Sequence, residues 1–257
     1  MVIFLENIKN SVDFFLRNNF AFSRSGYMEK NENKVELFSK ESEIEREKYL
    51  IKQYGLEKLR SFSTISTYLE NLNLVDILDL YLEITPKQET ISILDIGCKN
   101  WSYAYGENIF LKKHFPDMIL NGIEIDPNRL YRNLYSRKEV AKYHIKTLEN
   151  TFYIENNLLN HTLKYDYIIW ILPFVTKYSH LRWGLPANHF KPEEMLYHAH
   201  SLLKPKAQMF IVNQGKEEYE IQQQLCSKLK LPHKKLGELN SSFKIYRHKR
   251  FGLIVSK

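Results

Sequence analysis

Ile91-Ser-Ile-Leu-Asp-Ile-Gly-Cys98 and Met118-Ile-Leu-Asn-Gly-Ile-Glu124 decide how this chain is read. The first holds a short apolar run, Ile91–Ile96, followed by Gly97; the second is a run that closes on the acid Glu124; a helical stretch follows each. Similar runs recur at 151–154, where the pattern is weaker, at 165–172, where it is strong, and at 207–212. Strands alternating with helical segments need crossover connections, which predicts a parallel sheet with helices on both faces. Residues 251–255 read as a last strand close behind another at 234–239, so a terminal hairpin is expected.

Upstream of residue 90 the pattern is different. Residues up to about Leu82 show helical spacing with few β-branched runs. Phe14, Phe15 and Leu16 belong to a first short helix, and 41–52 reads as a solvated helix. A further helix begins near Leu56, and a more buried one spans 74–82. Thr85-Pro-Lys-Gln-Glu-Thr90 is the candidate linker, because Pro86 ends a helix and polar residues follow. The chain therefore divides into a helical N-terminal region, 1–85, and an α/β domain, 86–257. There is no internal repeat.

Composition bounds the function. With 44% hydrophobic residues, the 257-residue chain can bury a sizeable core. A net charge of +7 favours an anionic partner, although the excess is modest and a solvated lysine-rich surface is the plain alternative. Cys98 and Cys226, far apart, provide neither a disulfide framework nor zinc-ligand spacing, which suits the cytoplasm. No apolar run approaches the roughly 20 residues of a membrane span. The apolar start, Met1 to Leu5, lacks the basic region and cleavage site of a signal peptide. No metal site is expected: His198 and His200 are two apart and point to different sides of a helix.

In an open parallel sheet, ligands sit beyond the carboxyl ends of the strands. That rule points to Asp95 and Gly97 after the first run and to Glu124 after the second. Gly97 lets the backbone turn tightly and approach a ligand, and an acid at Glu124 suits two ribose hydroxyls.

Here a resemblance becomes specific. Leu94-Asp-Ile-Gly-Cys98 resembles the first motif of class I, Rossmann-like S-adenosylmethionine-dependent methyltransferases. Gly122-Ile-Glu124 is similar to the acidic end of that family's second strand, and Tyr165-Asp-Tyr-Ile-Ile-Trp170 to its fourth-strand motif. Ser201-Leu-Leu-Lys-Pro-Lys-Ala-Gln-Met-Phe-Ile211 looks like the stretch entering the fifth strand. The resemblance covers about 90–257 and implies a three-layer α/β sandwich. Its mostly parallel seven-stranded sheet would have order 3-2-1-4-5-7-6, preceded by the helical extension. It implies S-adenosyl-L-methionine as cofactor, with Asp95, Gly97, Asn100 and Glu124 around it. Glu155 and Asn156 would face the adenine, and Trp170 would lie where cofactor and acceptor meet. The extension would form a lid over the acceptor.

The departures matter as much. The family pattern places further glycines at Lys99 and Trp101, and Lys99 adds a positive charge where the cofactor already carries a sulfonium. Either the loop takes another path with Lys99 turned away, or cofactor binding is impaired. A full G-x-G-x-x-G is absent, which argues against a dinucleotide. The Asn/Asp-Pro-Pro-aromatic signature of nucleobase amino-methylation is absent after the fourth strand, where Trp170-Ile-Leu-Pro-Phe174 stands instead.

A catalytic base is optional, because the sulfonium is already activated and methyl transfer needs chiefly proximity and in-line geometry. In the polar and aromatic segment 176–191, His180 and His189 are the candidate bases, with surface imidazoles as the plain alternative. Basic clusters at Arg129, Arg132, Arg137 and Lys138, and at Arg247 to Arg250, lie near tyrosines and suit single-stranded RNA or simply a charged surface. The leading expectation is methyl transfer to an oxygen or nitrogen of a small or medium-sized metabolite. An RNA methyltransferase and a non-catalytic scaffold of the same fold are the alternatives.

Overall fold

The strands form where the apolar runs predict them in the computed structural model, which describes residues 2–84, 89–243 and 246–257. They are β1 (Ile91–Ile96), β2 (Met118–Glu124), β3 (Thr151–Glu155), β4 (Tyr165–Ile171), β5 (Leu203–Gln214), β6 (His233–Leu239) and β7 (Arg250–Ser256). One sheet joins them in the order β3-β2-β1-β4-β5-β7-β6, as the resemblance implied. The first five strands pair in parallel, and β7 runs antiparallel between β5 and β6, so the terminal hairpin forms.

β1 is the middle one of the five parallel strands and carries apolar residues on both faces, as a strand covered by two helical layers must. Ile91 and Ile93 enter one core with Leu72, Val75 and Phe110, while Leu94 and Ile96 enter another with Leu196, Ala199 and Cys226. The first core packs α4 (Ile65–Tyr81) and α5 (Ala104–His114) on the sheet. The second packs α8 (Pro192–Ser201) and α9 (Gly215–Lys228) on the opposite face. In the register, Asp95 lies opposite Gly122 and Ile169, and Ile96 opposite Ile123 and Trp170.

The N-terminal helices are α1 (Val2–Asn19), α2 (Glu41–Tyr54) and α3 (Glu57–Phe62); the remaining two are α6 (Arg137–Ile145) and α7 (Lys177–Arg182). Two are longer than their patterns predict. α1 is not short but 18 residues long. α4 begins nine residues before 74, capped by the Thr64 hydroxyl, which accepts from the Thr67 N–H at 3.1 Å. It is buried nearly all round, so it carries no polar stripe to mark its length. The linker at 85–90 and the boundary at 85/86 fall mainly on 85–88, outside the described residues. α4 itself shares a core with the sheet.

Candidate active site

Gly97 and Glu124 end neighbouring strands and line one cavity of about 340 Å³ at the carboxyl edge of the sheet. Ile96, Ile123, Ile125 and Leu158 form its apolar wall at that end, and Trp170, Phe174, Phe190 and Met195 continue it toward α8. Of the residues the sequence nominates, Gly97, Glu124, Asn156, Trp170, His180 and His189 line this space. Trp101 does not enter it. Its ring is fully buried in the other layer, where the indole N–H donates to Glu107 at 2.8 Å.

The loop after β1 keeps a glycine-type path without the glycines. Gly97, Lys99 and Trp101 all have positive φ, at 73°, 56° and 45°. A non-glycine residue in that region costs roughly 1–2 kcal/mol. Surrounding bonds hold it there: the Lys99 N–H donates to Glu124 at 3.0 Å, and its carbonyl accepts the Tyr153 hydroxyl at 2.8 Å. Trp101 also needs Gly122, since a Cβ at 122 would meet its ring at 2.7 Å. A Cβ at Gly97 would meet nothing within 4 Å, so the backbone there is open to a ligand.

Glu124 is fixed by three donors. They are the Lys99 N–H, the Asp126 N–H at 2.8 Å and the buried Arg137 guanidinium at 2.9 Å. A carboxylate has about four acceptor positions, so one remains for a ligand hydroxyl. Asp126, fully buried, is held bidentately by Arg17 of α1, with both contacts at 3.0 Å. Arg137 and Arg129 stand at 3.9 and 4.0 Å from it. Sequence reading missed Arg17, Asp126 and the inward role of Arg137. Asp126, two residues past Glu124 and just before Pro127, was the available signal.

Lys99 lines the cavity, half-buried, with its ammonium 4.1 Å from the centre of the Trp183 ring. It is therefore not turned away, and its charge stands at the cavity wall. Burial lowers its pKa to about 8, with Arg137 adding repulsion and Glu124 and Glu70 opposing.

Three nominated residues lie elsewhere. Asp95 points to the α5 side, because it shares a face with Ile91 and Ile93 and not with Ile96. There it accepts the Tyr103 hydroxyl at 2.8 Å, and burial pushes its pKa up to about 7. Asn100 borders a separate depression beside Tyr27 and Tyr131. Glu155 turns outward to Lys138 at 3.3 Å and Lys142 at 3.6 Å. The basic cluster is likewise dispersed: Arg137 is buried against Glu124, Lys138 is paired, and Arg129 donates to the Trp183 carbonyl. In the second cluster, Lys249 pairs with Glu238 and Arg250 lies over Tyr246.

His180 is buried, and its Nε2 lies 2.8 Å from the Pro186 carbonyl. A carbonyl only accepts, so Nε2 carries the proton and Nδ1 is left as the basic nitrogen. Burial lowers the pKa of His180, the Pro186 contact opposing, and burial with Lys191 lowers that of His189. Both lowered shifts favour the neutral imidazole. α1 roofs this region: Asn10 donates to the Leu181 and Leu185 carbonyls, and Phe14 lies 4.9 Å from the His189 ring.

Solved structures resemble the chain in fold. A SAM-dependent methyltransferase from Aquifex aeolicus superposes over 73% of this chain and 92% of its own, at 15% identity and TM-score 0.50. A methyltransferase from Pyrococcus furiosus matches 70% of this chain and 79% of its own, at 17% identity and TM-score 0.46. Magnesium protoporphyrin IX methyltransferase from Synechocystis, with bound SAH, matches 84% and 95%, at 12% identity and TM-score 0.46. No protein-family profile and no curated protein matches the sequence. The fold is that of the Rossmann-like S-adenosylmethionine-dependent methyltransferases.

Among the described residues no helix is long and apolar enough to cross a membrane. No group of His, Cys, Asp and Glu among them is arranged to hold a metal ion.

Proposed function

We propose that this protein transfers a methyl group from S-adenosyl-L-methionine to an oxygen or nitrogen of a small or medium-sized metabolite. The observation that carries the reading is the shared cavity at the ends of β1 and β2, with an open glycine on one and a fixed carboxylate on the other. These residues fit a nucleoside. Glu124 keeps an acceptor position for a ribose hydroxyl; Ile125 and Leu158 offer apolar contact to a base, and Asn156 a polar group at its edge. The cofactor, when bound, supplies a methyl group already activated by positive sulfur.

The remaining work falls to the chain. Trp170, Phe190 and Met195 exclude water around the acceptor and hold it by apolar contact. His180, neutral and with Nδ1 free to accept, takes the proton that an O–H or N–H acceptor loses. Residues 1–85 serve as a lid, supported by the contacts of α1 with 181–189 and Asp126. A small acceptor is favoured over RNA because the first basic cluster is largely spent on internal pairs.

Calorimetry with S-adenosylmethionine and its demethylated product tests the reading. Saturable binding of both is expected; no heat at millimolar ligand would leave only a scaffold of this fold. RNA binding that weakens steeply with salt would instead favour the RNA enzyme.

A further inference from the structure

α1 is mounted inside out. On a helical projection Asn7, Asn10, Phe14 and Arg17 share one face, and this is the face that meets the rest of the chain. Asn10 donates to two carbonyls, Asn7 accepts the Ala187 N–H at 2.7 Å, and Arg17 clamps Asp126. The opposite face carries Phe4, Leu5, Ile8, Val12, Phe15 and Leu16, each between 45% and 66% exposed. At 100° per residue these six fall within one stripe about 120° wide. An amphipathic helix ordinarily buries such a stripe.

We propose that this face of α1 pairs with the same face of a second copy of the chain, the two helices antiparallel about a twofold axis at the level of residue 10. Three observations select that occupant. The stripe is its own mirror along the chain: reflection through position 10 carries Phe4 onto Leu16, Leu5 onto Phe15, and Ile8 onto Val12. A twofold interface demands that self-complementarity, since each side presents the same patch. The area is adequate. With large side chains presenting roughly 150–200 Å² when free, the six expose on the order of 600 Å², approaching the per-partner area of a standard interface. Charge argues against an anionic bilayer: the flank of the stripe carries Lys9 with Glu6 and Asp13, not a cationic rim.

The pairing is read without any ligand, so its failure leaves the methyl-transfer reading standing. Sedimentation equilibrium of the full chain should give a dimer that dissociates on dilution, and Ile8→Asp should be monomeric with an unchanged far-ultraviolet spectrum. A wild-type monomer at every concentration, or a dimer indifferent to Ile8→Asp, overturns the proposal. Orientation has its own test in single-cysteine surfaces, Cys98 and Cys226 being buried. Mixed Ile8→Cys and Val12→Cys chains should form the crossed disulfide faster than either forms its own. Preference for like pairs would mean parallel helices and reject the axis. Co-sedimentation with phosphatidylserine vesicles, lost in Ile8→Asp, would assign the face to lipid instead.

Discussion

Two pairs of carboxyl groups flank the ends of β1 and β2, and they are opposites. Asp95 and Glu107 are sealed between the sheet and α5, share a hydrogen-bond network with Tyr103 and Trp101, and have no ion-paired cation among the described residues. Burial raises both pKa values; the charge of Asp95 pushes that of Glu107 up further, whereas hydrogen bonds from Tyr103 and Glu107 oppose the rise at Asp95. Glu124 and Asp126 are as deeply buried but are met by Arg137 and Arg17. The first pair is a packing element; in the second, Glu124 lines the cavity and Asp126, fully buried, anchors Arg17 of α1. A carboxyl near a strand's end says little alone; the face on which alternation places it, and whether a guanidinium meets it there, assign its role.

The contrast breaks most visibly at Arg137. Arg137→Met removes the cation between two buried carboxylates, and losing one partner of such a pair costs about 3–5 kcal/mol. Urea unfolding should register that loss; a change under about 1 kcal/mol would mean that Glu124 and Asp126 are satisfied without it. Next in size is Glu124→Gln, which keeps the side chain's shape but removes the charge. A hydrogen bond to a charged group contributes about 1.5–3 kcal/mol, so affinity for the demethylated cofactor should fall roughly 10- to 100-fold. Unchanged affinity in calorimetry would move the ribose elsewhere.

Asp95→Asn should leave that affinity alone and alter pH dependence instead. The native carboxyl rises from 3.8 to about 7 on folding, so the fold binds its proton more tightly than the unfolded chain does. That stabilisation is complete below about pH 4 and is lost as pH rises through about 7. The stability slope over this window should be shallower in Asp95→Asn, measured by denaturant unfolding at several pH values. An unaltered slope would assign the proton wholly to Glu107.

Sequence made the sheet legible because β1, β2, β4 and β7 are compact apolar runs, and the bounds of β1 and β2 agree with theirs to the residue. The cavity was legible through Gly97, Glu124, Asn156 and Trp170, all at strand ends. Asp95 was misplaced because proximity to the turn outweighed period-two alternation. Arg17 was invisible because its partner Asp126 is 109 residues away. α4 lacked a polar face, and α1 has its faces reversed, so periodicity understated one and gave no warning of the other's exposure.

The finest test of the contrast is Lys99, a cavity-lining cation that, among the described residues, neither pair holds as a salt-bridge partner. Its ammonium lies over Trp183 beside Arg137, with Glu124 and Glu70 opposing and Arg250 adding weak repulsion. Below about pH 8 it is charged, and the sulfonium of the proposed cofactor would bind against it; above that the amine is neutral and the conflict disappears. Affinity for S-adenosylmethionine should therefore rise several-fold as pH passes through about 8. Both ligands carry the same amino acid, so titration of that shared group cancels in the ratio of their affinities, leaving the sulfonium's contribution. The ratio should climb through this window in the native protein and stay level in Lys99→Gln. A level ratio in the native protein would mean that the Trp183 ring already screens the charge, and that a lysine at this glycine position carries no electrostatic penalty for the cofactor.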